Sequence, residues 1–260
     1  MTSQVTIYIG HSHVYSIQHA ETTIQLSKYP IFAVNVIGER EFVNYASIVN
    51  NNRIFNPDIL RALDVEIPIS DQGLFVAMFG GNAHNAVGIF AHELDYDFWI
   101  WGEPIDPSRY VVTAGMMRDI ILNEAAAALE HISLLKSARS QPIIAMCSPP
   151  PIMDNDYIAT HLGPGLRPPK PDAIIARPEL RRKLWLLHTE IFRTHCSSIG
   201  VPFLPPPAGT MTDAGFLRPE YWADATHANE AYGALVIELA NRYRDEQRNA
   251  DVMNDPANAC

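Results

Sequence analysis

Four runs of apolar residues along the chain are continuous rather than strictly alternating. Val5–Ile9 mixes β-branched and aromatic residues and stops at Gly10. Ile31–Ile37 stops at Gly38, Leu74–Phe79 at Gly80-Gly81, and Ile143–Met146 runs towards Pro149-Pro150-Pro151. Each predicts a strand, and the continuity predicts strands covered on both faces, as in a parallel sheet. Val201–Leu204 reads as a short edge strand, where its proline is tolerated. Between the strands the apolar spacing changes to that of helices. Met117, Ile121, Ala128, Ile132 and Leu135 line one face of a long helix beginning after Thr113. Leu180, Leu184, Leu187 and Ile191 line a second, with Pro178 in its first turn, and Ala231, Leu235, Leu239 and Tyr243 a third.

Strands alternating with helices predict right-handed crossovers and a three-layer α/β/α sandwich around a parallel sheet. The count of about five strands is too small for an eight-stranded barrel. Residues 1–246 read as one α/β domain without internal repeats, and 247–260 as a flexible tail. Two segments break the alternation: 83–110, rich in aromatics, and 149–171, rich in Pro and Gly. Loops of that length in a compact domain are commonly functional, so both are expected near the site. The Phe98–Trp101 stretch reads as packed surface or as a binding wall.

Composition narrows the class. The 260 residues are 47% hydrophobic and 18% charged, a globular balance. The net charge of −10 argues against a nucleic-acid partner, because a phosphate backbone recruits an excess of Lys and Arg. Cys147, Cys196 and Cys260 form neither a disulfide framework nor metal-binding spacing; the reading is two buried thiols and a loose terminal one. Val5–Ile9 is too short for a signal h-region, and no stretch is long enough to span a bilayer, so a cytoplasmic location is expected. Nothing in the sequence fixes the oligomeric state.

Ligands of an open α/β sheet bind beyond the carboxyl ends of its strands. There the sequence places Gly10-His11-Ser12-His13, then Gly38, then Gly80-Gly81-Asn82-Ala83-His84-Asn85, and, just before the last helix, Asp224-Ala-Thr-His227. A serine hydroxyl becomes a nucleophile when an imidazole takes its proton, and a carboxylate fixes that imidazole's tautomer. Each block also has a plainer reading. Ser12 can cap a helix, Asp224 or Thr226 can cap the last one, and Gly-Gly-Asn is ordinary turn composition.

In this order the blocks resemble the SGNH/GDSL hydrolases over nearly the whole chain, most specifically in Tyr221–Asn229. The resemblance implies an SGNH-hydrolase, flavodoxin-like sandwich in which Ser12 is nucleophile, His227 base and Asp224 its orienter. It implies an oxyanion hole of the Ser12 N–H, the Gly38 N–H and the Asn82 amide. It also implies hydrolysis of a small-molecule carboxylic ester, with small acyl groups such as acetyl foremost and no cofactor. His11 and Ala83 stand where the family carries Asp; neither position is the base or its orienter. The surroundings of Gly38 match only loosely. An α/β-hydrolase elbow is absent, since Val14 follows His13.

Three alternatives stay open. The same triad serves an acyltransferase. The fold can persist as a catalytically silent binding module. His11 and His13, on one face if extended, can start a metal-dependent hydrolase site, though the further ligands and barrel strands it needs are missing, so no metal is expected. His11, His13, His84 and Asn85 are also candidates for the substrate pocket. Asp154-Asn155-Asp156 lacks full calcium-loop spacing and reads as solvated loop.

Overall fold

The computed structural model describes residues 4–35, 45–66, 73–163 and 166–254. The chain starts with β1 (Thr6–Gly10), a 3-10 turn at Ser12–Val14, α1 (Tyr15–Gln18) and α2 (Glu21–Leu26), then β2 (Ile31–Asn35). A hairpin follows, β3 (Ala46–Val49) and β4 (Asn52–Phe55), and then α3 (Pro57–Glu66), β5 (Leu74–Met78) and α4 (Ala83–Gly88). A short pair, β6 (Tyr96–Phe98) and β7 (Tyr110–Val112), precedes the long α5 (Ala114–Ala138) and β8 (Ile143–Met146). The chain continues through α6 (Asn155–Thr160), α7 (Pro178–Ser198), β9 (Phe203–Leu204) and α8 (Glu230–Asn254).

The main sheet has five strands in the order β2-β1-β5-β8-β9, and every pair is parallel. The predicted strands are therefore present. The last two residues of the Ile31–Ile37 run, like Gly38, lie outside the described residues. Side chains alternate between two cores. Ile7, Ile9, Phe75, Ala77 and Phe79 pack against α3, α5 and α7, and Tyr8, Val76, Met78, Ile144 and Met146 against α1 and α8. Burial on both faces is why the strands read as unbroken apolar runs. It also pushes polar chemistry to the strand ends.

The helix stripes hold for α5 and α7, whose predicted apolar positions are all buried. Thr113 caps α5, its side chain accepting from the Met116 N–H. The stripe for α8 was set one residue off. Its buried face carries Tyr232, Val236, Ile237 and Ala240, while Ala231 is exposed and Leu235, Leu239 and Tyr243 lie on the flank. Two contacts outside the apolar pattern set that rotation. Gly233 lies directly on the α1 backbone, and Arg244 donates to the Gln4 and Val5 carbonyls and to Thr6 Oγ1 at 2.8–2.9 Å.

The segment 83–110 is not simply loop: it holds α4 and β6. Buried Lys183 of α7 donates to Asp97 of β6 at 2.7 Å and ties the segment down. Phe98 is core, whereas Trp99 and Trp101 are exposed. In 149–171, Asp154 caps α6, accepting from the Tyr157 N–H, rather than standing as free solvated loop. The expected tail is helical through Asn254. The β3–β4 hairpin turns at Asn50-Asn51, both with positive φ, the geometry of a two-residue primed turn.

At Gly233 a Cβ would stand 2.0 Å from the Ser16 carbonyl oxygen, a backbone atom that cannot swing away. Gly233→Ala is expected to cost about 2 kcal/mol or more through overpacking, read as a lower midpoint in urea unfolding.

Candidate active site

With the five sheet strands in the order 2-1-3-4-5, the chain reverses direction across the sheet between β1 and β5. A crevice opens at such a point beyond the carboxyl ends. Gly10 pairs with Met78 in register, so the residues after β1 and β5 emerge side by side. They approach so closely that a Cβ on Gly10 would lie 2.3 Å from the Met78 carbonyl oxygen. Ser12 follows one strand and Asn82 the other.

Ser12 opens the 3-10 turn but caps nothing: its Oγ lies 2.7 Å from His227 Nε2. Nor do Asp224 or Thr226 cap α8. Asn229 does, its side-chain oxygen accepting from the Ala231 and Tyr232 N–H groups. Asp224 folds its own loop instead. Oδ1 accepts from the Thr226 and His227 backbone N–H groups at 2.8 and 2.9 Å, and Oδ2 lies 2.8 Å from His227 Nδ1. Partial burial pushes the Asp224 carboxyl up, but the His227 ring, its charge and the two N–H donors outweigh this and hold it at about 2. An ionised carboxylate on Nδ1 keeps the proton there and leaves Nε2 as an acceptor facing Ser12.

Asn82 sits just before α4, and its side-chain oxygen accepts from Asn85 Nδ2 at 3.1 Å. That engages the carbonyl end of the amide and leaves the NH2 end to donate. Asn85, expected in the pocket wall, thus also orients Asn82. Gly38 lies outside the described residues.

The flanking histidines part company. His11 packs among Tyr45, Phe79 and His131, with ring centroids 5.4–5.7 Å away. His13 turns to the other side, its ring centroid 5.2 Å from that of His227. The turn after Gly10 is helical rather than extended, so the two rings do not share a face as an H-x-H metal pair would. Among the described residues no group of three or more His, Cys, Asp or Glu is arranged to hold a metal. His84 is buried against His188, centroids 4.9 Å apart. Burial drives all these rings towards neutrality: His13 to about 3, His11, His131 and His188 to about 4, and His84 well below its ordinary value.

Beside His227 lies a cavity of about 10 Å³, lined by His84, Asn85, Pro149–Ile152, Leu217, Ala225 and Thr226. The polyproline wall was visible in the sequence only as a loop. It is held by Arg181, a buried α7 side chain whose position in the helical stripe gave no signal. Its guanidinium donates to the Ile152 and Met153 carbonyls and to Asn155 Oδ1 at 2.8–3.0 Å, and to the Ala176 carbonyl. The Leu217 N–H donates to the Pro151 carbonyl and the Ala225 N–H to the His161 carbonyl, joining the Asp224 loop to the same segment.

A serine hydroxyl, an imidazole and a carboxylate stand in one hydrogen-bonded line at the carboxyl edge of a parallel sheet, an arrangement chemically able to activate the hydroxyl as a nucleophile. No protein-family model matches the chain, and no curated protein matches its sequence. Solved structures similar to it over most of its length include a GDSL-like lipase from Bacteroides thetaiotaomicron (10% identity, TM-score 0.46, covering 94% of this chain and 89% of that one). Another is an M. smegmatis aryl esterase (12%, 0.42, 94% and 99%). A third is a variant of a Geobacillus acetyl-xylooligosaccharide esterase (12%, 0.46, 93% and 94%). Likenesses this distant assign no residue roles; the chemistry is read from the side chains themselves. Among the described residues no helix is long and apolar enough to cross a membrane.

The buried imidazoles set an acid limit. Each is held below its ordinary 6.5, so the unfolded chain binds protons that the fold refuses. Stability is therefore complete above about pH 6.5 and falls as pH drops towards 4, by up to about 1.4 kcal/mol per pH unit for each histidine. Asp224, held low, adds a further loss between about pH 4 and 2. Melting temperature against pH is expected to be flat near neutrality and steep below 6; a curve flat down to pH 4 would contradict the buried, neutral assignment.

Proposed function

We propose that the chain is a serine esterase that hydrolyses a small-acyl carboxylic ester through an acyl-serine intermediate, without a cofactor. The observation that carries this reading is the Ser12–His227–Asp224 line. His227 Nε2 takes the Ser12 proton as Oγ attacks the ester carbonyl. The Asn82 NH2 and the Ser12 N–H, with the Gly38 N–H on the resemblance alone, receive the negative charge that builds on the carbonyl oxygen. The tetrahedral species collapses, and the departing alkoxide takes the proton from His227. A water, deprotonated by His227, then attacks the acyl-enzyme, and the carboxylic acid and free Ser12 are released. The imidazolium formed twice in this cycle lies against the Asp224 carboxylate, which stays ionised throughout.

The preference for a small acyl group is carried by the resemblance of the sequence blocks to the SGNH/GDSL hydrolases. Each excess methylene in an acyl pocket that fits acetyl is worth about 10-fold or more in discrimination.

The reading is tested with acyl esters of increasing chain length and a fluorophosphonate probe on the whole chain. Labelling at Ser12 is expected, with acetyl esters preferred over butyryl by at least about 10-fold. Ser12→Ala is expected to lower kcat by about 10⁶-fold, Asp224→Asn by about 10⁴-fold and Asn82→Ala by about 10²–10³-fold. No labelling and no ester turnover in the folded wild type would overturn it. Product analysis with an added alcohol distinguishes hydrolysis from acyl transfer on the same triad.

A further inference from the structure

Beside His13 lies a second cavity of about 10 Å³, and Pro149 borders both this cavity and the one next to His227. Its apolar lining comes from Met78, Met146, Ala228 and Val236, which separate it from solvent on the β5, β8 and α8 sides. Besides Ser16, whose hydroxyl donates to the His13 carbonyl, and Cys147, whose thiol meets the Thr189 hydroxyl, three polar side chains from separate elements line it: His13 after β1, Ser148 after β8 and Tyr232 in the first turn of α8. All three are more than nine-tenths buried. None of the His13 ring nitrogens, Ser148 Oγ or Tyr232 OH has a hydrogen-bond partner among the described residues. Leaving one buried polar group unmatched costs roughly 1–3 kcal/mol, so three converging on one void are not a neutral arrangement.

A cavity of this size holds one water molecule when two to four polar groups line it. We propose that this cavity is an internal water site, and that the water holds His13 as a positioning residue for His227. The inference rests on the esterase reading for its second part. One water satisfies a ring nitrogen of His13, the Ser148 hydroxyl and the Tyr232 hydroxyl together. The His13 backbone carbonyl is already fixed by the Ser16 hydroxyl at 2.9 Å, so the water supplies the remaining restraint on the ring. That ring stands 5.2 Å from the His227 ring, tilted 59° to it. His227 is thus confined by Asp224 at Nδ1, by Ser12 at Nε2 and by His13 across its side. A neutral His13 does this without setting a second positive charge against the imidazolium.

The site gives opposite signs for two outcomes of one experiment. Tyr232→Phe and Ser148→Ala are made in the full chain, and melting temperature, kcat and KM on the best ester are measured. If the hydroxyls hold a water, removing either strands its partners, and each variant melts about 2–4 °C lower. If the hydroxyls are simply unmatched, removing them relieves a penalty, and both variants melt higher; that result overturns the water site. Loss of the tether is expected to lower kcat about 3–10-fold, of the order of one hydrogen bond, with KM within about twofold. A lower melting temperature with kcat unchanged would overturn the positioning role. If the wild type turns over no ester at all, the esterase reading falls and the positioning role with it, while the melting shifts still decide the water site.

Discussion

The Asp224 carboxylate accepts from two backbone N–H groups of its own loop and from the His227 ring at the same time. That triple engagement shapes the site. The backbone donors fold residues 224–227 into a tight turn, the turn presents His227, and the ring reaches back across the sheet edge to Ser12, 215 residues earlier in the chain. Because one group does both jobs, the loop cannot hold its shape without also fixing the imidazole tautomer. The carboxylate stays ionised although partly buried, since each donor favours the charged form.

Around that anion the protein has placed uncharged rings. His11, His13, His84, His131 and His188 all lie near the strand ends with their protonation suppressed, mainly by burial. Neutral neighbours set no competing positive charge against the Asp224–His227 pair, although both side chains remain partly open to solvent. The histidines beside Ser12, which read in the sequence as a possible metal pair, are instead divided between two aromatic clusters.

The strands of the sheet and the helices α5 and α7 were legible because burial on both faces writes itself into continuous apolar runs, and burial on one face into a 3.6-residue stripe. The pair Asp224 and His227 was legible because the spacing lets a carboxylate reach an imidazole within one turn. What escaped depended on contacts between distant segments. The rotation of α8 is set by the closeness of Gly233 to Ser16 and by Arg244 on the Gln4 and Val5 carbonyls just before β1, neither of which has a period. β3, β4 and β7 lie outside the main sheet and stay partly exposed, so burial on two faces writes no apolar run into them as it does into the equally short β8. The Asn50-Asn51 turn carries a weaker signal than a glycine would. The role of Asn85 followed only from seeing which end of the Asn82 amide it takes.

Arg181 shows how the site behaves as a mechanical unit. Its guanidinium is buried in α7 and spends its donors on carbonyls of the proline wall and on Asn155, while the Asp224 loop hangs from the same segment through the His161 and Pro151 carbonyls. Loosening the wall would leave a guanidinium buried and unpaired, which is far more costly than fraying an ordinary surface loop. The proline wall and the loop that presents His227 therefore have no cheap local opening. Prolines 149–151 carry no N–H, so the amides that report this are those of residues 225–227, whose exchange is expected to track the unfolding of α7 and its core rather than the fraying of a loop.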